Sequence, residues 1–365
     1  MKHFTFLFFQ FFLMAGVFCQ STHFSISGKV IDKNTGNALQ GASVFAQNTT
    51  LGMATNAEGK FNLSLPNGGY DLVITFTGYT TESLRINNAT ALEENLTIAL
   101  KPKEKSLEEV SVIVTSEVKD GWQKYGQLFT DNFIGKSIFS KQTSIKNPEV
   151  LKFFFSKKRN RLKVIANEPL VVVNDGLGYY IKFLIDSFTH DFESNVTQFI
   201  GYPLFEEIQG TADMQASWQR NRNIAYKGSM LHFMRSFYNR TLPGEGFEIQ
   251  FLVNNNDRET SIQVKDPYLA LNYAKDDSLK TVEFIPNQPN VIVIYNKAKP
   301  QPAYFDFDPG AKKDFQVSTV SVAPGESIII EQNGYFFDQT DVTTNGYWGF
   351  EKIGDMLPYD YVPGN

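Results

Sequence analysis

SISGKVIDKNTGNALQGASVFAQNTTLGMATNAEGKFNLSLPNGGYDLVITFTGYTTESLRI, residues Ser25–Ile86, alternates short apolar runs with glycine-bearing turns. Ile26, Val30, Val44, Phe61, Leu63, Leu65, Leu72, Ile74 and Phe76 supply the apolar side of those runs. Within several runs the spacing is two, which places the side chains on one face of a half-buried strand. Asp32-Lys33-Asn34-Thr35-Gly36 and Asn56-Ala57-Glu58-Gly59 read as turns, because each glycine tolerates positive φ and each Asx can bond its own backbone. Pro66-Asn67-Gly68-Gly69 is expected to close a further hairpin in the same way. Many short strands punctuated by such turns imply an antiparallel sandwich.

GKVIDKNTG at Gly28–Gly36, LQGASV at Leu39–Val44, the run from Gly52 through Thr55 to Gly59 and Phe61, and Gly78-Tyr79 give this segment a family resemblance. Over Phe24 to Leu100 it resembles the carboxypeptidase regulatory-like domain, a small Greek-key, transthyretin-like β-sandwich. The resemblance implies an accessory module. Such modules accompany zinc carboxypeptidases, precede the plug of TonB-dependent outer-membrane receptors, and begin many exported Gram-negative proteins. It implies no activity, since function lives in sites rather than folds.

The rest of the chain fits an exported globular protein of about two domains, as its 365 residues suggest. Hydrophobic residues make up 42%, charged residues 20% and aromatics 14%, which suits a folded, β-rich chain. A net charge of −5 supplies no global basic field, so nucleic acid is not an expected partner. Residues 1–19 read as a signal peptide, with Lys2 as the positive start, an apolar core from Phe4 to Phe18, and cleavage before Gln20. Cleavage there removes Cys19, the single cysteine, and with it any disulfide or catalytic thiol. A lipid anchor on Cys19 is the competing reading, but Phe18 is not the small residue that a lipobox needs. The expected location is the periplasm, the outer membrane or the cell surface. Beyond the signal no stretch is apolar long enough to span a bilayer.

Residues 101–121 read as a linker with a junction strand, proline-bearing and charged at first, then alternating Val110, Val112 and Val114. This transition resembles the segment after the module in outer-membrane receptors, but too few residues remain for a 22-stranded barrel. Residues 122–365 read as an α+β domain with antiparallel strands and at least two helices. Trp122, Tyr125, Phe129 and Phe133 form one face of a first helix. Residues 178–192 and 195–208 read as a long antiparallel pair turning at Asp191–Asn195. Thr211 is expected to cap a second helix running to about Arg240, with Trp218, Ala225, Phe233 and Phe237 along one side. Segments of this region are similar to exported proteins that also begin with the sandwich. That similarity brings no substrate and no site residues.

Chemical motifs are sparse. His190 and Glu193 have the HxxE spacing of two zinc ligands, and His232 is the one downstream histidine that could complete a set of three. The motif falls at a hairpin tip and His232 on a helix among Leu231 and Phe233, so all three are set aside as metal ligands. Asn174–Tyr179 contains GxG without a third glycine, and reads as a turn between strands. Lys157, Lys158, Arg159, Arg161 and Lys163 read as a solvated hairpin turn, and Arg220, Arg222, Lys227, Arg235 and Arg240 as a solvated helix face. No catalytic residue, metal or cofactor is expected. The leading reading is a non-catalytic exported envelope protein whose sandwich docks or spaces a C-terminal domain, with an envelope protein or glycan as partner. The alternative is a glycan- or peptide-binding module, and a zinc-dependent carboxypeptidase ranks behind both.

Overall fold

The structure, a computed structural model, describes residues 22–88, 95–103, 117–255, 258–323, 325–337 and 339–364. The signal segment, Cys19 and Val110–Val114 lie outside the described residues. The N-terminal module has seven strands: β1 (His23–Asp32), β2 (Ser43–Ala46), β3 (Gly52–Ala54), β4 (Lys60–Pro66), β5 (Gly69–Thr75), β6 (Glu82–Asn87) and β7 (Leu96–Leu100). They form two sheets, ordered β4-β1-β7 and β3-β2-β5-β6. The expected alternation is present: β4 buries Phe61, Leu63 and Leu65 and exposes the residues between them. These side chains meet Val44, Leu72 and Ile74 of the facing sheet in one core.

Two details differ from the sequence reading. β7 runs parallel to β1, from Gly28 opposite Leu96 to Asp32 opposite Leu100, so the sandwich is mixed rather than wholly antiparallel. The Pro66–Gly69 turn carries the chain from one sheet to the other, because β4 pairs β1 while β5 pairs β2 and β6. A four-residue turn identifies a reversal of the chain, and which strands then pair is decided by the facing apolar surfaces.

The next unit begins with α1 (Gly121–Phe133), then β8 (Thr143–Ile145), β9 (Leu151–Ser156), β10 (Arg161–Ala166), β11 (Leu170–Asn174), β12 (Tyr179–Asp191) and β13 (Val196–Glu207). β12 is the spine. Its first half pairs with β11, its second half with β10, and β13 runs along its other edge. The basic segment Lys157–Asn160 is the exposed turn between β9 and β10, as expected. α1 lays Phe129 and Phe133 on the sheet, with ring centroids 4.7 Å from Phe188 and 4.9 Å from Phe183. Such aromatic pairs add to the burial energy of each ring.

Two helices lead to the last unit, and here the sequence reading needs correcting. The single expected helix is two, α2 (Ala212–Tyr226) and α3 (Met230–Tyr238). Thr211 caps the first, accepting from the Met214 N–H. Gly228, at φ +87°, takes the left-handed conformation that ends a helix, and the Ser229 hydroxyl accepts from the His232 N–H to start the next. Then come β14 (Phe247–Asn255), β15 (Arg258–Gln263), β16 (Ala274–Asp276), β17 (Thr281–Phe284), β18 (Asn290–Tyr295), β19 (Gln316–Val322), β20 (Ile328–Glu331) and β21 (Val342–Gly346). They form two antiparallel sheets, β15-β14-β18-β19-β21 and β16-β17-β20.

The region expected as one α+β domain therefore holds two major cores. One gathers the α1 and β12 side chains, the other Phe233, Phe237, Phe247, Phe284 and Trp348. The C-terminal tail returns to the first, burying Ile353, Leu357 and Tyr361 there.

Candidate functional site

Four buried latches hold the units together, and none was visible in the sequence. The turn after Thr49 is the first. The Asn48 N–H donates to the Pro203 carbonyl (2.7 Å) and the Phe205 N–H donates to the Thr49 carbonyl (2.9 Å), extending β13 by one parallel bridge. The tail closes over the same turn, with the Tyr359 N–H donating to the Asn48 carbonyl at 2.7 Å and Thr50 bonded to the Asp360 carboxylate. The second latch joins β5 and β6 to β20. Asn87 Nδ2 donates to Glu331 Oε1 (2.9 Å), and Asn333 Nδ2 to the Gly69 carbonyl (2.9 Å). Gly69 has no side chain because a Cβ there would lie 2.4 Å from Glu331 Cγ. Glu331 is 1% exposed, and burial pushes its carboxyl up to about 7 against the opposing Asn87 hydrogen bond.

Arg235 makes the third. Its guanidinium donates to the carbonyls of Asn333, Tyr359 and Tyr361, each at 2.9 Å, tying α3 to the β20 turn and to the tail. Arg222 makes the fourth. It donates to the Leu177 and Gly178 carbonyls and to Glu207, and stacks 3.9 Å from the Tyr179 ring centroid. Trp218 covers Gly178 of the same turn and donates Nε1–H to the Asp175 carbonyl at 2.8 Å. The GxG segment is thus a turn, as expected, but one clamped from above. Arg222 and Arg235 are not on a solvated face: an arginine pattern on a helix does not reveal that five donors face backbone carbonyls.

The three residues weighed as zinc ligands and set aside lie on separate elements. His190 is on β12 opposite Thr197 of β13, and its Nδ1 lies 2.7 Å from Thr197 Oγ1. Thr197 donates its own proton to Asn132, so it accepts from His190 Nδ1–H. Glu193 is exposed in the turn after β12, where its N–H donates to Asp191 Oδ1. His232 is on α3, in a different core environment, edge-on to Phe247 at 4.9 Å. Its Nδ1 accepts from the Gly228 N–H at 3.1 Å, so its proton sits on Nε2 and points to Glu245 Oε2 at 3.3 Å. Burial holds both histidines below the ordinary imidazole range, with Glu245 opposing the effect at His232.

The His232–Glu245 pair forms the wall of an open polar cleft of about 460 Å³, which Tyr226, Lys227, Tyr295 and Lys297 also line. Neither ring nitrogen of His232 carries a free lone pair, which leaves it without the acceptor site a general base or metal ligand requires. The cleft offers polar contacts of both signs and two tyrosines, a set suited to recognition. Among the described residues no group of three His, Cys, Asp or Glu is arranged to hold a metal ion.

Residues 26–112 match the model of the CarboxypepD_reg-like domain, so the N-terminal part of the chain carries this module. Among curated proteins the chain is similar to a TonB-dependent receptor of Formosa agariphila, 25% identical over 111 residues. That alignment covers 30% of this chain, which spans only 11% of the receptor's length. Two solved DUF3823 family proteins are also similar. The one from Bacteroides ovatus is 15% identical, with 52% of this chain and 82% of the other covered and a TM-score of 0.16. The one from Parabacteroides merdae is 11% identical, with 54% and 87% covered and a TM-score of 0.18. TM-scores this low carry no argument about fold or role. Among the described residues no helix is long and apolar enough to cross a membrane.

Proposed function

We propose that this is a non-catalytic exported cell-envelope protein in which the carboxypeptidase regulatory-like sandwich serves as a docking module for the C-terminal units. The observation that carries this reading is the joint at Asn48–Thr50, Asn87 and Gly69. There the sandwich contributes backbone and side-chain groups to both C-terminal units and to the tail. A tether that merely spaced two domains would need no such contacts. The aromatic inventory points the same way. Among the aromatic side chains of the described residues, only Tyr180 and Phe307 stand out as strongly exposed, and all the largest fully buried side chains are Phe or Tyr. The relationship to part of a TonB-dependent receptor supports an envelope setting.

The joint is tested by calorimetry of the full chain. One cooperative transition is expected, and Asn87→Leu combined with Thr50→Ala should split off a lower transition belonging to the sandwich. Two independent transitions in the unaltered chain would defeat docking. Export is tested separately, by mass spectrometry of the envelope fraction, where the N-terminus should lie near Gln20.

A second reading, recognition of a glycan or peptide, is favoured by the polar cleft beside Tyr226 and Tyr295. A glycan array with the full chain separates the two. Binding lost on Tyr226→Ala would establish recognition, and no binding would leave docking as the role.

A further inference from the structure

A second cavity, of about 340 Å³, lies where the sandwich turn, β13, α2, α3, the last sheets and the tail all meet. Its wall is mainly apolar, with Phe199, Met230, Met234, Trp348, Met356 and Leu357 among the lining residues. Three methionines make such a wall adaptable in shape. Set into it are Asn48, Glu351 and Asp355. Asp355 is 6% exposed and Asn48 8%, and in both the Oδ1 atom has no hydrogen-bond partner among the described residues. Orphaned buried acceptors are uncommon and costly. Here both belong to residues that line the same cavity, with Glu351 among the same lining.

We propose that this cavity is a binding site for a small amphipathic amine, its ammonium directed to Asp355 and Glu351 and its apolar body against the methionine and aromatic wall. What the two Oδ1 atoms lack is a donor, although Asp355 is otherwise hydrogen-bonded by Ser137, Gln301 and the Lys352 backbone. An ammonium carries three donors and a positive charge, whereas a hydroxyl brings one donor and no charge. Lys352 also lines the cavity, but burial alone governs its ammonium, which is held below its usual range and makes no ion pair with either carboxyl among the described residues. Neither acidic group is paired with a cation among the described residues. Burial raises Asp355 to about 6 against hydrogen bonds from Ser137, the Lys352 backbone and Gln301, and burial with repulsion from Asp355 raises Glu351 well above the ordinary carboxylate range. A cation would lower both. An apolar enclosure with a few fixed polar groups is the usual form of a small-ligand site. The inference is independent of the docking role, which needs only the contacts around Thr49 and Glu331.

Isothermal titration of the full chain with n-hexylamine, n-hexanol and hexanoate at pH 7 tests it. Hexylamine should bind one per chain at least tenfold more tightly than hexanol, and hexanoate should not bind. Binding of hexylamine at pH 6 should release protons, since a bound ammonium lowers the raised carboxyl of Asp355. Asp355→Asn should reduce the preference for hexylamine over hexanol to about threefold or less, and Ala225→Trp, which fills the cavity, should abolish binding of both. Equal affinity for hexylamine and hexanol in the unaltered chain would overturn the proposal without reference to any variant. So would an undiminished amine preference in Glu351→Gln and a folded Asp355→Asn.

Discussion

The sandwich and the two C-terminal units are built on opposite principles. The sandwich core is an apolar layer between two sheets, with Val30, Val44, Leu65, Leu72 and Ile74 fully buried. Away from the joints its polar groups bond within the module: Asp32, for instance, accepts from Asn34, Thr35 and the Tyr79 hydroxyl. The C-terminal units also have apolar cores, but charged side chains are buried at the joints between elements. Arg222, Arg235, Glu331, Glu351 and Asp355 are wholly or largely withdrawn from solvent, and each sits where elements distant in sequence meet. Apolar packing is tolerant of small errors in position, whereas a buried charge without its partner is strongly penalised. The sandwich should therefore behave as a robust module, and the joints around it as the specific, fragile part.

The largest effect should come from Arg235, whose three carbonyl partners belong to the β20 turn and the tail. Arg235→Ala removes three charge-assisted hydrogen bonds and should lower stability by about 3–5 kcal/mol. Denaturant melts should show it, with the tail residues losing hydrogen-exchange protection first. A loss below about 1 kcal/mol would erase the contrast between the two kinds of region.

Glu331 comes next and depends on pH. Its carboxyl, raised in the folded state to about 7 from an ordinary 4.5, binds its proton more tightly when folded. The stability it confers is thus complete below pH 4.5, declines from there to pH 7, and falls no further above that. The span corresponds to about 3 kcal/mol. Glu331→Gln keeps the shape, still accepts from Asn87, and should lose that much less stability than the unaltered chain between pH 4.5 and 8. Parallel pH profiles for the two proteins would refute a buried, protonated Glu331.

Gly178 sharpens the comparison at one residue. It has φ +71°, and a Cβ there would lie 2.3 Å from Trp218 Cδ2. Gly178→Ala combines left-handed strain with overpacking and should lower stability by about 2–4 kcal/mol. Gly36 in the sandwich has nearly the same φ, +73°, with nothing within 4 Å of its Cβ position. Gly36→Ala should lower stability by only about 1–2 kcal/mol, from backbone strain alone.

The same contrast explains how far the sequence could be read. Strand alternation repeats every two residues, so Phe61, Leu63 and Leu65 announce their common face directly. The β12–β13 hairpin and the aromatic face of α1 were legible for the same reason, since each is a local period. The break between α2 and α3 was in plain view at Gly228-Ser229, but the apolar residues on either side continue the helical spacing and mask it. The joints were not legible. Glu331 ends the run Ile328-Ile329-Ile330, where a carboxylate on an apolar strand is a faint sign of burial, but its partner Asn87 lies 244 residues away. Nothing in the spacing of Arg222 or Arg235 distinguishes a guanidinium facing carbonyls from one facing water, and no local pattern brings Asn48, Glu351 and Asp355 to one cavity.

The smallest effect concerns the HxxE pair, and it separates a chemical role from a structural one. His190 is 3% exposed and bonded to Thr197, which is bonded in turn to Asn132 of α1, so the histidine belongs to a chain linking the hairpin to the helix. Glu193 is exposed at the tip, with no ligand geometry shared with His190. A zinc site requires three ligands held by further hydrogen bonds, and His232, the third residue of the set, has both ring nitrogens engaged on α3. The purified chain should accordingly hold no stoichiometric zinc before or after His190→Ala, by metal analysis after dialysis. The same substitution should lower stability by about 1–2 kcal/mol, because Thr197 loses its buried donor. His190→Asn, which can still donate to Thr197, should recover part of that loss. One zinc per chain, lost on both His190→Ala and His232→Ala, would place chemistry at the hairpin and overturn the non-catalytic reading.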